Sequence, residues 1–143
     1  MSTARVRPAL EQDAPVIAVL VSQLGYPSTA EQVRERLKHL EGHPDFTALV
    51  AEQSGRVCGV IGLHVFPGYH RDGLHGYITA LVVDEGLRRS GVATRLLQAS
   101  DDWFRERGVK HVNLTSALHR EEAHRFYIKR GYELSGHRFH KAL

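Results

Sequence analysis

The chain has 143 residues, a formal net charge of +3 and 42% hydrophobic residues. This length predicts a single domain over residues 1–143 with its own hydrophobic core. The weak positive charge fits an anionic small ligand, but it is too small to argue for nucleic acid as a partner.

The predicted location in the cell rests on hydrophobic segments and on cysteine content. No apolar run approaches the roughly 20 residues that span a bilayer, and no hydrophobic signal region follows the N-terminal Met-Ser-Thr-Ala-Arg. Cys58 has no second cysteine to pair with, which fits a reducing compartment. We therefore expect a cytoplasmic protein that has no membrane partner.

The N-terminal third predicts one strand and a helical hairpin. Thr3 to Pro8 alternates briefly and indicates a short first strand. Apolar residues from Leu10 to Leu24 fall on one helical stripe. Ser28 and Glu31 have capping-box spacing, which starts a second helix that Gly42 ends.

The middle of the chain predicts three strands. Phe46–Glu52 and Arg56–Phe66 are joined at Gln53-Ser54-Gly55, a hairpin signal. The stretch Pro67–Gly76 is rich in glycine and predicts a loop. Ile78–Val83 has no charge and many β-branched residues, which is typical of a strand inside a sheet.

The last third predicts two helices and two strands. They are a helix from Ser90 or Gly91 to Arg107, a strand Val109–Thr115, a helix Arg120–Arg130 and a final strand Tyr132–Leu143. The full order β-α-α-β-β-β-α-β-α-β indicates a mixed α/β sheet flanked by helices. The crossover through the long helix predicts that the strands on either side of it are parallel neighbours.

The junction between Val83 and the long helix has the character of an anion site. Backbone N–H groups converge at a helix N-terminus, where the helix dipole adds positive potential. Arg88 and Arg89 strengthen that potential, while Gly91 and Ala93 keep side-chain bulk away from a phosphate. The spacing is neither that of a P-loop nor that of a dinucleotide fingerprint. We predict that a phosphate-bearing cofactor binds here, with possible hydroxyl contacts from Ser90 and Thr94.

Two motifs together resemble the GNAT superfamily of N-acetyltransferases. The first is Arg88-x-x-Gly91-x-Ala93 between a buried strand and a long helix. The second is Ala123-His124-Arg125-Phe126-Tyr127, followed by Gly131-Tyr132. The motifs stand in the family's order with a strand between them, so the resemblance covers nearly the whole chain and is weakest over the N-terminal helices.

The resemblance implies acetyl-coenzyme A as co-substrate and assigns residues to it. The backbone of Leu81, Val82 and Val83 is expected to bind the pantetheine arm. The backbone N–H groups of Arg89, Ser90, Gly91, Val92, Ala93 and Thr94 are expected to hold the pyrophosphate. Tyr127 matches the tyrosine that protonates the departing thiolate, and Ala123 marks the second motif. Arg120 stands where the family often has Asn; it replaces that contact, reaches a phosphate or lies in solvent.

Acetyl transfer to an amine also needs a base, because an amine of pKa near 10.4 is mostly protonated at neutral pH. In many GNAT relatives a Glu lies on the strand before the cofactor loop, but Ile78–Val83 has no carboxylate. His75 is the preferred candidate, since an unperturbed imidazole titrates near pH 6.5. The other nearby candidates are His64, His70, Asp72 and Tyr77.

Three other interpretations are weaker. The pairs His70/His75 and His119/His124 are five residues apart, which is poor spacing for two metal ligands on one helix face, so no metal is predicted. Cys58 lies in an apolar strand and is expected in the core, not as a nucleophile. Arg138, His140 and Lys141 could suggest RNA, but the polar face of a strand explains them more simply.

The sequence therefore predicts an N-acetyltransferase that acts by direct transfer in a ternary complex. The acceptor is expected to be a small-molecule primary amine, with specificity set by Leu24–Leu40 and Pro67–Gly76. The alternatives are a protein or peptide N-acetyltransferase and a non-catalytic module that senses acyl-coenzyme A. Dimers are common in the family, but no feature of the sequence defines an interface.

Overall fold

The computed structural model describes residues 4–87, 90–116 and 120–143. The chain divides into two compact units, Met1–Asn113 and Leu114–Leu143. The prediction of one domain stays a prediction. Arg88, Arg89 and His119 lie outside the described residues.

The first unit is an antiparallel meander extended by a crossover. Its elements are β1 (Arg5–Pro8), α1 (Ala14–Leu24), α2 (Ala30–Leu40), β2 (Phe46–Gln53), β3 (Arg56–Pro67), β4 (Leu74–Val83), α3 (Val92–Glu106) and β5 (Val109–Leu114), which reaches one residue into the second unit. The strand order in the sheet is β1-β2-β3-β4-β5, and the first three pairings are antiparallel. The sheet is mixed, as predicted, and β5 is the neighbour of β4.

The helices cover both faces of this sheet. On one face, here called the α1 face, Val50, Val60 and Val82 are directly opposite one another on β2, β3 and β4 and pack with buried residues of α1. On the other face, here called the α3 face, the Gly59 backbone lies close to side chains of α3. Burial of these apolar side chains stabilises each layer by about 25 cal/mol per Å² of apolar surface removed from water.

Both N-terminal helices begin differently from the prediction. A short 3₁₀ turn, Glu11–Asp13, precedes α1. Helix α2 is capped by Thr29, not Ser28: the Thr29 hydroxyl accepts from Gln32 N–H at 3.1 Å, and the Gln32 side chain accepts from Thr29 N–H at 3.0 Å. The reciprocal box is therefore shifted by one residue, because Thr29 has the extended backbone that an N-cap requires.

Strand β4 is longer than the sequence predicts and carries a bulge. It starts at Leu74 instead of Ile78, so His75 belongs to the strand and lies opposite Phe66. The connecting loop shrinks to residues 68–73. The register passes from Gly62 opposite Ala80 to Leu63 opposite Ile78, which leaves Thr79 as an extra residue. A bulge of this kind bends the strand and redirects side chains.

The second unit holds α4 (Glu121–Lys129) and the C-terminal segment. Gly131, at φ +94°, ends α4, and Tyr132 N–H donates to the Tyr127 carbonyl at 3.1 Å. The predicted final strand Tyr132–Leu143 is wrong: these residues form neither helix nor strand. Leu134 and Phe139 are 80% and 94% exposed, so no buried face fixes a strand there.

None of the helices within the described residues combines the length and apolarity that a membrane span requires.

Candidate functional site

The loop after β4 leads directly into the N-terminus of α3. Asp84 and a 3₁₀ turn, Glu85–Leu87, follow the strand, and Ser90 and Gly91 precede the helix. Gly91 is the N-cap and has φ +89°, a left-handed conformation that glycine adopts without steric cost. Arg95 N–H makes the bond to the Gly91 carbonyl at 3.1 Å that starts the helical ladder. Helix geometry therefore points the N–H groups of Val92, Ala93 and Thr94 out of this end.

The surroundings of this N-terminus fit a bulky anion. Ser90 and Gly91 are exposed, and a Cβ added at Gly91 would meet nothing within 4 Å. The Ser90 hydroxyl donates to the Leu87 carbonyl, so its proton is used within the loop. The buried side chain of Val92 packs near Gly59, which leaves its backbone as the part available at the helix end. The described residues thus leave open space beside the backbone at Gly91.

The predicted pantetheine residues lie in the last three positions of β4. Leu81, Val82 and Val83 are opposite Ile61, Val60 and Gly59 of β3. Val82 and Val83 are buried and Leu81 is half-buried, so only the backbone of these residues is suited to polar contacts. Two residues before Leu81 comes the bulge at Thr79, which no sequence prediction included. An isolated glycine inside a strand, here Gly62, is the signal that could have indicated it.

Tyr127 lies on α4 among aromatic neighbours of its own unit. Its ring makes edge contacts with Phe126 and Tyr132, at centroid distances of 5.7 and 5.8 Å. Burial raises the pKa of the Tyr127 phenol, and the positive charge of Arg120 partly opposes that rise. The phenol is therefore protonated at neutral pH, as a proton donor must be. Ala123 is half-buried on the same helix, and Arg120 is its N-cap residue.

His75 is buried and belongs to a group of histidines on the α1 face. It is 2% exposed, and its Nε2 has no hydrogen-bond partner within the described part of the chain. The rings of His70 and His111 lie at 5.2 and 6.3 Å from it, both nearly parallel to it. Arg71 Nη1 lies 2.9 Å from His111 Nδ1. The sequence did not single out Arg71 or His111, because contacts between a loop and a strand forty residues away leave no local pattern.

The other base candidates lie nearby. His64 is opposite Tyr77 on the α1 face, and its ring stacks on Phe46 at 4.0 Å. Asp72 is exposed in the loop. No residue of β4, which runs from Leu74 to Val83, carries a carboxylate. The titratable side chains of the strand are therefore those of His75 and Tyr77.

The residues behind the three weaker interpretations lie as follows. No group of three or more potential metal ligands occurs within residues 4–87, 90–116 and 120–143. Cys58 is buried, its thiol lies 3.4 Å from the Ala51 carbonyl, and burial raises its pKa, so it is a core residue as predicted. Arg138, His140 and Lys141 are exposed in a segment without strand structure, so the predicted polar strand face does not explain them.

Comparison with known proteins decides the family. The model of the acetyltransferase (GNAT) family matches residues 14–132. The chain belongs to the GNAT acetyltransferase family. The resemblance drawn from the two motifs is therefore confirmed.

One curated relative agrees with this assignment. An aminoalkylphosphonate N-acetyltransferase of Salmonella typhimurium is 34% identical over 100 residues, which cover 70% of this chain and 65% of that protein. The matched region thus spans just under two thirds of that relative.

Solved structures share the fold. A transcriptional regulator from Bacillus halodurans superposes with a TM-score of 0.91 at 19% identity, covering 99% of this chain and all of that one. A GNAT family acetyltransferase from Staphylococcus aureus gives 0.82 at 24% identity over the full length of both chains. The predicted fold class is confirmed.

Proposed function

We propose that this protein is an N-acetyltransferase that moves an acetyl group from acetyl-coenzyme A to the primary amine of a small molecule. One observation carries the proposal: Gly91, in the left-handed conformation, is the N-cap of α3 and lies in the loop that follows strand β4. This is the position of the family's cofactor motif. Membership of the GNAT family and the protonated phenol of Tyr127 on the second motif support it.

The residues assigned to the coenzyme divide by chemistry. We assign the pyrophosphate to the backbone N–H groups of the first turn of α3 and the loop before it, where the helix dipole favours anions. We assign the pantetheine arm to the backbone of Leu81–Val83. Arg88, Arg89 and Arg120 are proposed as additional cationic contacts. The coenzyme supplies a thioester, which is an activated acetyl group.

The protein's own groups then handle charge and protons. A backbone N–H near Leu81 stabilises negative charge on the thioester oxygen as the amine attacks. As the carbon–sulfur bond breaks, Tyr127 donates its phenolic proton to the sulfur. His75 is the proposed base, and the proton of the attacking amine reaches it through water, not by direct contact. The exposed imidazoles of His70 and His111 beside it give that proton a route to solvent.

The acceptor is proposed to be a small amine, and the name of the Salmonella relative suggests where to begin. We would first test 2-aminoethylphosphonate and 3-aminopropylphosphonate, then amino acids, polyamines, aminoglycosides and peptides with a free N-terminus. Thiol release from acetyl-coenzyme A, followed with a thiol-reactive dye, reports turnover. Amine-dependent thiol release supports the proposal. Tight coenzyme binding with no release across the whole panel would favour the non-catalytic sensor instead.

A further inference from the structure

We propose that Arg71, His70, His111 and His75 form a subsite for an oxyanion, and that this subsite binds the anionic group of the acceptor. The inference names the acceptor class and so rests on the proposed function. The four residues lie within the first unit and come from the loop 68–73, β4 and β5. They are here called the histidine cluster.

The hydrogen bond between Arg71 and His111 joins two members of the cluster. A guanidinium can only donate, so His111 Nδ1 must accept the Arg71 bond of 2.9 Å. With Nδ1 as the acceptor, Nε2 is the nitrogen of the His111 ring that can donate to a ligand. Arg71 remains a full positive charge with several further N–H donors. It forms no ion pair with any carboxylate among the described residues.

A buried nitrogen without a partner is the second observation. His75 Nε2 is screened from solvent and has no acceptor or donor in the described part of the chain. Leaving such a group unpaired is unfavourable, because a buried polar atom has lost its hydrogen bonds to water. The loop backbone covers it at Gly68, where a Cβ would lie 2.7 Å from His75 Nε2. Only glycine lets the loop close this tightly over the imidazole.

The side chains of the histidine cluster suit an anion. The interplanar angles are 17° between His70 and His75 and 24° between His75 and His111. Rings in this arrangement stack on one another, and within the described residues no group of three potential metal ligands occurs. The Arg71 guanidinium supplies a positive charge with N–H donors, and the imidazoles add further donors. A phosphonate or phosphate suits this combination, because its oxygens accept bidentate bonds from arginine.

The charges around the cluster leave this field largely uncompensated. Asp72 neighbours Arg71 on the loop and is exposed, and Lys110 precedes His111 on β5. Phe66 packs against His75 from β3 without charge. On the same face, His64 and Tyr77 continue from the cluster along β3 and β4 toward the bulge at Thr79. An acceptor can therefore lie along the α1 face with its anion at the cluster and its amine toward the coenzyme.

Direct binding tests the subsite without any chemistry. Methylphosphonate, which has no amine, is titrated into the protein while the imidazole nitrogens are followed by ¹⁵N NMR. We expect saturable shifts in His70, His75 and His111. Affinity should fall about tenfold or more in Arg71→Gln, since a charge-assisted bond is lost. Arg56→Gln, an exposed arginine at the other end of β3, is the matched control and should bind as the wild type does.

Kinetics link the subsite to the acceptor. With acetyl-coenzyme A saturating, Arg71→Gln should raise KM for ω-aminoalkylphosphonates about tenfold or more while leaving KM for the matching alkylamines unchanged. Methylphosphonate should inhibit competitively against the aminophosphonate. Varying the number of methylene groups in the ω-aminoalkylphosphonate shows which distance between amine and phosphonate the site accepts best.

The outcomes separate the two proposals. No saturable shift at millimolar methylphosphonate, or equal affinity in Arg71→Gln, overturns the subsite. Binding that does not compete with the aminophosphonate shows a site for free anions and overturns the assignment to the acceptor. If methylphosphonate binds through Arg71 but no amine is ever acetylated, the subsite stands and the proposed activity fails.

Discussion

Glu85 N–H donates a hydrogen bond of 3.2 Å to the side-chain oxygen of Gln23. This bond joins the last turn of α1 to the 3₁₀ turn that leads from β4 to the proposed pyrophosphate site. The two residues are 62 positions apart in the sequence, so no local sequence pattern predicts this bond. The residue just before Leu24–Leu40, a segment expected to set acceptor specificity, is thereby bonded to the loop that leads to the proposed coenzyme site.

Removing this bond should weaken coenzyme binding. In Gln23→Ala the turn Glu85–Leu87 loses one partner, and one hydrogen bond is worth about 1 kcal/mol, or roughly fivefold in affinity. We expect the Kd for acetyl-coenzyme A, measured by calorimetry, to rise by about that factor. Gln98→Ala, at an exposed position on α3, is the control. An equal Kd in wild type and Gln23→Ala would contradict the positioning role.

Tyr127→Phe should lower kcat and leave coenzyme binding intact. The variant keeps the ring contacts with Phe126 and Tyr132 but removes the phenolic proton. General acid catalysis is typically worth 10²–10⁴, so we expect kcat to fall by about 100-fold or more. Tyr132→Phe, the neighbouring ring, should retain activity. Unchanged kcat in Tyr127→Phe would remove this tyrosine from the mechanism.

The pH profile of kcat gives a second test of Tyr127. Because burial raises the pKa of the phenol, the acid form persists above its usual range. We expect kcat to be maintained up to about pH 10 and to fall only above it. A decline that begins well below pH 9 and is identical in Tyr127→Phe would assign the titration to another group.

Gly91→Ala should disturb the start of α3 through backbone strain alone. A Cβ there meets no neighbour, but the left-handed φ of +89° costs a side chain about 1–2 kcal/mol. We expect a lower melting temperature and weaker acetyl-coenzyme A binding. Gly86→Ala is the matched control in the same loop, since Gly86 has no positive φ and its Cβ would come no closer than 3.9 Å to Asp84. Equal behaviour of the two variants would show that the conformation of Gly91 is unimportant.

Asp13 should make the stability of the folded protein depend on pH in the acid range. Its carboxylate accepts two bonds from Arg7, at 2.9 and 3.0 Å, and one from Leu10 N–H at 2.7 Å. The hydrogen bonds from Arg7 lower the pKa of Asp13 below its usual value. A carboxyl with a depressed folded pKa stabilises the protein above its unfolded pKa, near 3.9, and loses this contribution as the pH falls through the folded value.

The corresponding variant is Asp13→Asn. Loss of a partly buried charged pair should lower the free energy of unfolding by about 2 kcal/mol at pH 7, measured by urea denaturation. The difference from wild type should shrink below about pH 4, as the wild-type carboxyl becomes protonated. Asp102→Asn, which breaks an exposed pair with Arg105, should change stability by less than about 0.5 kcal/mol. A difference that is constant from pH 7 to 2 would contradict the linkage.

Much of the architecture could be predicted because the spacing of apolar residues along the sequence indicates which side chains are buried. The apolar stripes of α1 and α3, the hairpin of β2 and β3 and the glycine before α3 all follow from local pattern. The start of β4 did not, since Leu74-His75-Gly76 has the composition of a loop. His75 is nevertheless buried, and Gly76 lies where a Cβ would meet the Phe104 ring at 2.7 Å. Tertiary packing overrides local propensity here.

In the candidate site, too, local sequence patterns predict some residues and not others. Positions such as Gly91, which are proposed to act through the backbone, can be predicted from the sequence, because a glycine followed by a helical pattern indicates them. Arg71 and His111 are not visible, since their contact depends on how the loop 68–73 lies over β4 and β5. The predicted final strand failed because alternating residues such as Leu134 and Phe139 need a buried face, which the described structure does not give them.

The most direct test of the central proposal uses acetyl-coenzyme A labelled with ¹³C in its acetyl group, mixed with 3-aminopropylphosphonate and the purified protein. Carbon NMR distinguishes the labelled thioester, a labelled amide and free acetate in one tube. We predict that the thioester signal is replaced by that of the N-acetyl amide, and that Tyr127→Phe slows this conversion about 100-fold. Persistence of the thioester with every amine of the panel, despite saturable coenzyme binding, would contradict the proposed activity.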